Sequence, residues 1–468
     1  MMETININGY KWFKTIGDEG QDVLVADFMV DEEKILGEFP SEALYDLVIE
    51  RDTDLYLPAT ELMGGDLLTE DRVAFKFRKD VFTKEEQRGA YEGLFKAATM
   101  SDNRGLAAGP RSEKHANRDW LTTAQEHILR WFEKGQPSNV DGSDPIEEIY
   151  SKYTGVAPIR GFAWIRMTIE QEYKDYENFF GELVERLKAM SVEEAKTHIE
   201  YVRLEYVSDA TYASAIWSGI AGFYDRFPRI PFGRETMYTQ NHPDKFEKCY
   251  PFARKLDTQF ANLLPSRYAF QKSLADKTDS RFLVGGDTTF TTITVNTTTK
   301  DRNARMACHR DAGSLNEGFS NLTVIGDEGK DWKGGYLVTP EVRCAINVRP
   351  GDLLLVDNMR VIHGNTPIEA PDSGEGDLLR MSLIFYYREG MKTLGTWEYE
   401  QLRRTFIYER RDNPEHPLWW SRWNGVSPGW YVSQEWYDWL EERGGKAMVQ
   451  EYHPEAYQVE GSLEEFFG

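Results

Sequence analysis

Cysteine is scarce in this 468-residue chain. Cys249, Cys308 and Cys344 show no C-x-x-C spacing, so no disulfide framework is expected and a reducing compartment is the natural setting. There is no apolar N-terminal stretch, no long apolar run and no lipidation signal, which predicts a soluble protein of the cytoplasm with no membrane partner. Positive charge is also in short supply: 55 Lys+Arg against 78 Asp+Glu leave a net charge of −23, and no basic tail or run stands out. That balance speaks against broad polyanion binding. The deficit is uneven, however. Residues 221–310 carry 15 Lys+Arg against 9 Asp+Glu, so one basic stretch lies inside an acidic chain.

The length allows two to four structural units. Residues 1–104 read as an α+β appendage, with strands in QDVLVADFMV and DLVIERDTDLYL. A Thr83-x-x-Glu86 capping box opens a helix there. Residues 105–222 read as a mainly helical support region, with amphipathic, acid-rich stretches from Glu170 to about Glu205. His127, His198, His416 and His453 are expected to be structural or surface residues. The stretch 218–239 is dense in aromatics and holds Arg226, Arg229 and Arg234; these either support the fold in ion pairs or line an anionic ligand. CYPFARKLDTQFANLL reads as an amphipathic helix, and SRYAFQKS leads from it into the next unit. Residues 396–468 hold seven of the thirteen tryptophans, for which packing is the commoner role and base stacking the alternative.

The stretch from Thr288 to Glu389 differs from everything around it. Short β-branched and aromatic runs (TTFTTITVN, FSNLTVI, GGYLVTP, RCAINV, LLLVDN, RMSLIFYY) are broken by Gly, Pro, Asn and Asp. This is the pattern of an antiparallel β unit, a sandwich or jelly roll, and not of βαβ repeats. The expected fold is therefore α+β: a double-stranded β-helix (jelly-roll) core at 223–395 buttressed by helices, with the N-terminal and Trp-rich extensions outside it. His309 and Asp311 are two apart and so share a strand face. His363 follows Asp311 by 52 positions, and Arg380 lies 17 further on. Two imidazoles and one carboxylate on a β scaffold suit a facial triad for non-haem Fe(II), with open positions for a chelating cosubstrate and O2. An arginine past the second histidine suits the far carboxylate of 2-oxoglutarate, since its planar fork binds carboxylate bidentately. Ser382 shares the face of Arg380, Arg305 shares that of His309, and Asn296 closes TITVN; with Arg234 these are candidate cosubstrate contacts. Asp311 fills the position that a halogenase-type site would leave vacant, which favours hydroxylation. The Gly-rich, acidic PIEAPDSGEGD reads as a loop at the site mouth.

On FYDRFPRIPFGRET, TTFTTITVN, RMACHRDAG with GFSNLTVI, GGYLVTPEVR, PGDLLLVDN, HGNTPI and RMSLIFYYRE, residues 223–390 resemble the TET/JBP family of nucleic-acid base dioxygenases, its phage and bacterial members in particular. The resemblance implies Fe(II) held by His309, Asp311 and His363, and 2-oxoglutarate held by Arg380. It also implies oxidation of the 5-methyl group of thymine or 5-methylcytosine in DNA. After the ligand aspartate this chain has Ala312-Gly313-Ser314, where members often carry a Lys-Gly pair. Two other readings stay open: the same chemistry on a free nucleotide or other small molecule, and a metal-free barrel that binds DNA without catalysis.

Overall fold

The computed structural model describes residues 2–58, 68–101, 105–109, 111–112, 189, 191, 194, 212–213, 216–226, 230–299, 305–326, 332–369, 380–411 and 433–457. The helices expected between Glu170 and Glu205, Arg229, most of the loop after Pro367, and Trp419, Trp420, Trp423 and Trp430 lie outside them. The chain forms two compact units. One comprises Met1–Ser112, Ala213–Tyr224 and Arg234–Thr393; the other comprises Glu113–Tyr212, Asp225–Gly233 and Leu394–Gly468.

The first unit is α+β and mostly antiparallel. Its strands are β1 (Glu3–Ile7), β2 (Tyr10–Ile16), β3 (Asp22–Ala26), β4 (Leu47–Ile49), β5 (Thr53–Tyr56), β6 (Val73–Arg78), β7 (Ile216–Tyr224) and β8 (Arg234–Glu235). They continue with β9 (Thr292–Thr298), β10 (Ser320–Gly326), β11 (Leu337–Thr339), β12 (Cys344–Ile346), β13 (Leu353–Val356), β14 (Gly364–Asn365) and β15 (Arg380–Tyr386). Among the described residues one large sheet runs β1-β2-β3-β5-β6-β13-β10-β15-β9-β7-β8, and a smaller one runs β14-β11-β12-β4. The N-terminal strands join the large sheet where β6 pairs antiparallel with β13, Phe77 opposite Leu354 and Phe75 opposite Val356.

Strand periodicity explains how the sheets pack. Leu322, Val324, Leu354, Val356, Ile384 and Tyr386 point from the large sheet into a core shared with Leu337, Cys344 and Ile346 of the small one. The opposite face of β15 carries Met381, Leu383 and Phe385. Helix α2 (Tyr250–Leu263) covers it with an apolar stripe that includes Phe252, Leu256 and Phe260. Phe252 lies 6.1 Å from Phe385, and Phe290 lies 5.6 Å from it. The capping box at Thr83 forms as expected and opens α1 (Lys84–Leu94). SRYAFQKS, read as a lead-in, is instead part of helix α3 (Pro265–Ala275). Leu264 leaves helical geometry, and Pro265 restarts it at the first position, where its missing N–H costs nothing.

One interior patch breaks the apolar pattern. On β9 the residues facing inward are Thr294, Asn296 and Thr298, and opposite them on β15 stand Ile384, Ser382 and Arg380. Nearly all of this polar patch is buried. Burying hydroxyls, an amide and a guanidinium costs free energy unless partners compensate, so a patch like this marks a site rather than a scaffold.

A buried carboxylate beyond β13 gives a pH signature. Asp357 is 1 % exposed, and among the described residues its Oδ2 accepts no hydrogen bond and stands 3.6 Å from Arg360 Nη1. Burial pushes its carboxyl up to about 6, with Arg360 and Arg267 pulling the other way. A carboxyl that binds its proton more tightly when folded stabilises most below the unfolded value and loses that stability as pH rises through about 6. The loss is about 3 kcal/mol. Asp357→Asn should therefore raise the melting temperature relative to wild type at pH 8, and the two curves should converge only below the ordinary carboxyl value of 3.8. An equal shift at both pH values would show that Asp357 is ionised throughout.

In the second unit, α4 (Trp397–Arg411), α5 (Ser433–Gly444) and α6 (Lys446–Tyr452) pack around Tyr399, Phe406, Trp436, Leu440 and Val449, with Phe232. Trp436 is buried and Trp439 Nε1 donates to Glu409, so these two tryptophans serve packing. His453 lies half-buried beside that core, where its Nε2 meets Trp436 Nε1 at 3.0 Å and the Tyr399 hydroxyl at 2.8 Å. Glu400, fully buried, accepts from the Gly233 and Gly395 amides and pairs with Arg226. Arg226 thus supports the fold.

Candidate metal centre

His309, Asp311 and His363 converge: one ligand atom from each lies within 4.8 Å of the others. The segment carrying the first two is not the regular strand expected from steps of two. It pairs as an isolated bridge, His309 opposite His363, with both N–H···O bonds at 2.9 Å. That bridge sets the imidazole rings 4.3 Å apart. Asp311 Oδ1 then stands 3.5 Å from His309 Nε2 and 3.7 Å from His363 Nε2. Ligand atoms bound at ~2.0–2.2 Å to a first-row ion stand roughly 3 Å apart when adjacent, so a small contraction would close the set.

The surroundings fix which atoms face the centre. His309 Nδ1 lies 2.8 Å from the Ala307 carbonyl, and His363 Nδ1 lies 3.2 Å from that of Val361. A carbonyl only accepts, so each Nδ1 keeps the proton and each Nε2 presents a lone pair. Asp311 Oδ2 is turned away and takes donors from Asn358 Nδ2 at 3.0 Å and Ser320 Oγ at 3.3 Å. Burial opposes ionisation of Asp311, but the two histidine rings facing Oδ1 and the Asn358 amide donating to Oδ2 outweigh it and hold the carboxyl at about 2. Burial, and then His309 beside it, push His363 down to about 4. At neutral pH the trio therefore offers a carboxylate and a neutral imidazole, which fits a divalent cation.

Sequence reading missed Asn358 and Ser320. A partial signal existed: the polar pair Asp357-Asn358 closes the apolar strand β13, where side chains turn from core to site. Asn358→Ala removes a donor to Asp311 and keeps the backbone bond from Asp311 N–H to the residue 358 carbonyl, 2.9 Å long. Losing an outer-shell partner of this kind typically weakens metal affinity by about 10–100-fold. Cobalt(II) titration of the variant should show that loss without a fall in melting temperature of more than a few degrees.

Arg380 is 4 % exposed. Its Nε has no hydrogen-bond partner among the described residues, and Nη2 reaches the Gly335 carbonyl only at 3.5 Å. Among the described residues it meets no carboxylate. Burial, and then Arg349, lower its pKa to about 10, so it remains a cation. Gly335 N–H in turn bonds to the Pro367 carbonyl, four residues past His363. Ser382 lies beside Arg380 on one face, opposite Asn296. Asn296 Oδ1 is already taken by the Ser218 hydroxyl at 2.5 Å.

The other candidates have different duties. Arg305 donates to the carbonyls of Asn365 and Pro40 and lies 4.4 Å from the Phe39 ring. Arg234, on β8, lies 4.9 Å from the ring of Tyr224. In the basic stretch 226–310, Arg226, Arg267 and Arg310 pair with carboxylates outside it and Arg254 and Arg281 with carboxylates inside it, so part of its local positive excess is neutralised within the molecule.

Residues 219–389 match the profile of the Tet_JBP family, the oxygenase domain of the 2OGFeDO superfamily. The chain is 32% identical over 176 residues to the bifunctional helicase and thymine dioxygenase JBP2 of Leishmania infantum, an alignment covering 37% of this chain and 15% of that protein. It is 27% identical over 203 residues to the thymine dioxygenase JBP1 of Crithidia fasciculata, covering 43% of this chain and 23% of that one. The chain thus spans less than a quarter of the length of either relative. A solved structure, NgTET1 in complex with 5mC DNA, aligns at 18% identity with a TM-score of 0.32, over 46% of this chain and 75% of its own. The likeness is therefore to the oxygenase domain of the 2OGFeDO superfamily, and it is confined to residues 219–389.

Proposed function

We propose that the chain is an Fe(II)- and 2-oxoglutarate-dependent dioxygenase that hydroxylates the 5-methyl group of thymine or 5-methylcytosine in DNA. The observation that carries the reading is the two-histidine, one-carboxylate cluster in a segment that matches an oxygenase family, together with a buried arginine that has no anionic partner among the described residues. The two facing sheets support a double-stranded β-helix as the scaffold, and 1–104, 105–222, 223–395 and 396–468 are proposed as its functional segments. His309, Asp311 and His363 would hold the iron, and Arg380 would hold the distal carboxylate of 2-oxoglutarate, with Ser382 as a neighbour. Iron(II), 2-oxoglutarate and O2 supply the chemistry: the methyl becomes hydroxymethyl, and 2-oxoglutarate leaves as succinate and CO2. The protein's part is to present neutral Nε2 atoms, keep the carboxylate ionised and anchor the cosubstrate. A base in duplex DNA must leave the stack for its methyl group to reach such a centre. The setting proposed is the cytoplasm of a bacterial or phage-infected cell, where the three buried thiols would stay reduced.

The charge shapes what is expected of DNA binding. With −23 overall and the described arginines of 226–310 largely engaged, few phosphates would be contacted, so binding should be modest with a shallow salt slope. Nucleoside mass spectrometry of treated DNA should find 5-hydroxymethyl product, most at low salt. Arg226→Glu is a poor probe of that contact, since it would set a carboxylate against buried Glu400. The same charge favours a second reading, a free nucleotide as substrate. Succinate release stimulated by a nucleotide, with no hydroxymethyl base in DNA at any salt, would establish it.

A further inference from the structure

The backbone that carries His309 and Asp311 is paired on both sides. Toward the site, His309 bonds to His363. Along an extended chain N–H and C=O groups alternate in direction, so the neighbour, Cys308, bonds outward. Its N–H reaches the Glu38 carbonyl and its C=O takes the Gly37 N–H, each at 2.8 Å. Gly37 has φ +87°, a conformation that favours glycine, and this turn aims its N–H at Cys308. Two residues past Glu38, the Pro40 carbonyl receives Arg305 Nη2 at 3.2 Å while Phe39 lies under the same guanidinium.

The side chains add a second grip. Arg310 stands between the two ligands in sequence. It donates to Glu33 Oε1 at 2.5 Å, to Glu341 Oε1 at 2.8 Å and to the Arg360 carbonyl at 3.1 Å. Glu341 Oε2 accepts the N–H of Ile362, the residue before His363, at 2.6 Å, and the Glu341 carbonyl accepts the Val30 N–H. One buried carboxylate therefore ties the residues flanking all three ligands, and Glu33 closes the same fork from outside. Glu33, Gly37, Glu38 and Pro40 lie far outside the matched oxygenase segment, 219–389.

We propose that Glu33–Pro40 is a positioning element of the metal centre, acting through Cys308 and Arg310 to fix the backbone from which His309 and Asp311 project. The inference rests on the metal reading above. Its physical content is reciprocal: what the segment does for metal affinity, the metal must return as stability of the segment.

Cobalt(II), added anaerobically to the full chain, tests this. In wild type it should slow hydrogen–deuterium exchange in peptides spanning 30–40, and in Asp311→Ala it should not. Arg310→Met should bind cobalt(II) about 10–100-fold more weakly, with an altered d–d absorption spectrum, and Arg310→Lys should recover part of both. If wild type binds cobalt(II) while exchange at 30–40 is unmoved, the segment only packs and the proposal falls, whether or not the Arg310 variants fold. If exchange responds but Arg310→Met binds like wild type with the same spectrum, the part assigned to Arg310 falls. If wild type binds no cobalt(II), the metal reading fails first and takes this inference with it.

Discussion

Replacing Asp311 with alanine should leave a folded protein that neither retains iron nor releases succinate. Oδ1 of Asp311 is the point at which the two Nε2 atoms meet, 3.5 and 3.7 Å away, and it carries the only negative charge of the cluster. Without it a divalent ion would keep two neutral ligands on neighbouring backbone segments and lose its charge compensation. The affinity loss should exceed the roughly 10–100-fold expected for an outer-shell partner. The variant also strands two donors, Asn358 Nδ2 and Ser320 Oγ, whose acceptor disappears. Each stranded buried donor costs about 1–3 kcal/mol, less whatever water recovers, so a modest fall in melting temperature should accompany the loss of metal. Iron analysis and succinate assays on the purified variant check both. Normal iron content with normal turnover would show that the centre lies elsewhere.

What could be seen in the sequence was local. Short apolar runs rich in β-branched or aromatic residues and bounded by turn residues marked β9, β10, β13 and β15, the capping box marked α1, and the His-x-Asp spacing put two side chains on one face. These follow from periodicity and turn chemistry, which need only neighbours. Partnerships across the chain could not be read. Nothing in VADFMVDEEKILGEFP announces that Gly37 and Glu38 pair with Cys308, because a backbone rung between segments some 270 residues apart carries no side-chain signature. Arg226 illustrates the same limit. Its two readings, ion-paired support or anion lining, differ only in whether a carboxylate from elsewhere arrives, and Glu400 does. The 305–311 segment shows the opposite error: a pattern good enough for a strand, in a place where only His309 finds a bridge.

Arg380→Met should separate stability from cosubstrate binding in opposite directions. Arg380 is a cation buried to 4 % exposure, and among the described residues its Nε is unbonded and its one hydrogen bond, to the Gly335 carbonyl, is long. A buried charge without a partner is among the costlier features a fold can retain, at several kcal/mol after relaxation. Methionine matches much of the length, removes the charge and leaves the neighbouring Arg349 without a like charge to repel it. The variant should therefore melt no lower than wild type when 2-oxoglutarate is absent. With 2-oxoglutarate the order should reverse. Truncating one partner of a buried charge pair typically costs on the order of 2–5 kcal/mol. The concentration of 2-oxoglutarate needed for half-maximal turnover should rise by roughly 30- to several-thousand-fold. Saturating 2-oxoglutarate should raise the melting temperature of wild type and barely move that of the variant. Cobalt(II) binding without cosubstrate should be close to normal in both, since Arg380 is not among the ligand atoms. An unchanged 2-oxoglutarate requirement would transfer the role to another cation, with Arg349, whose charge already acts on Arg380, the first to replace.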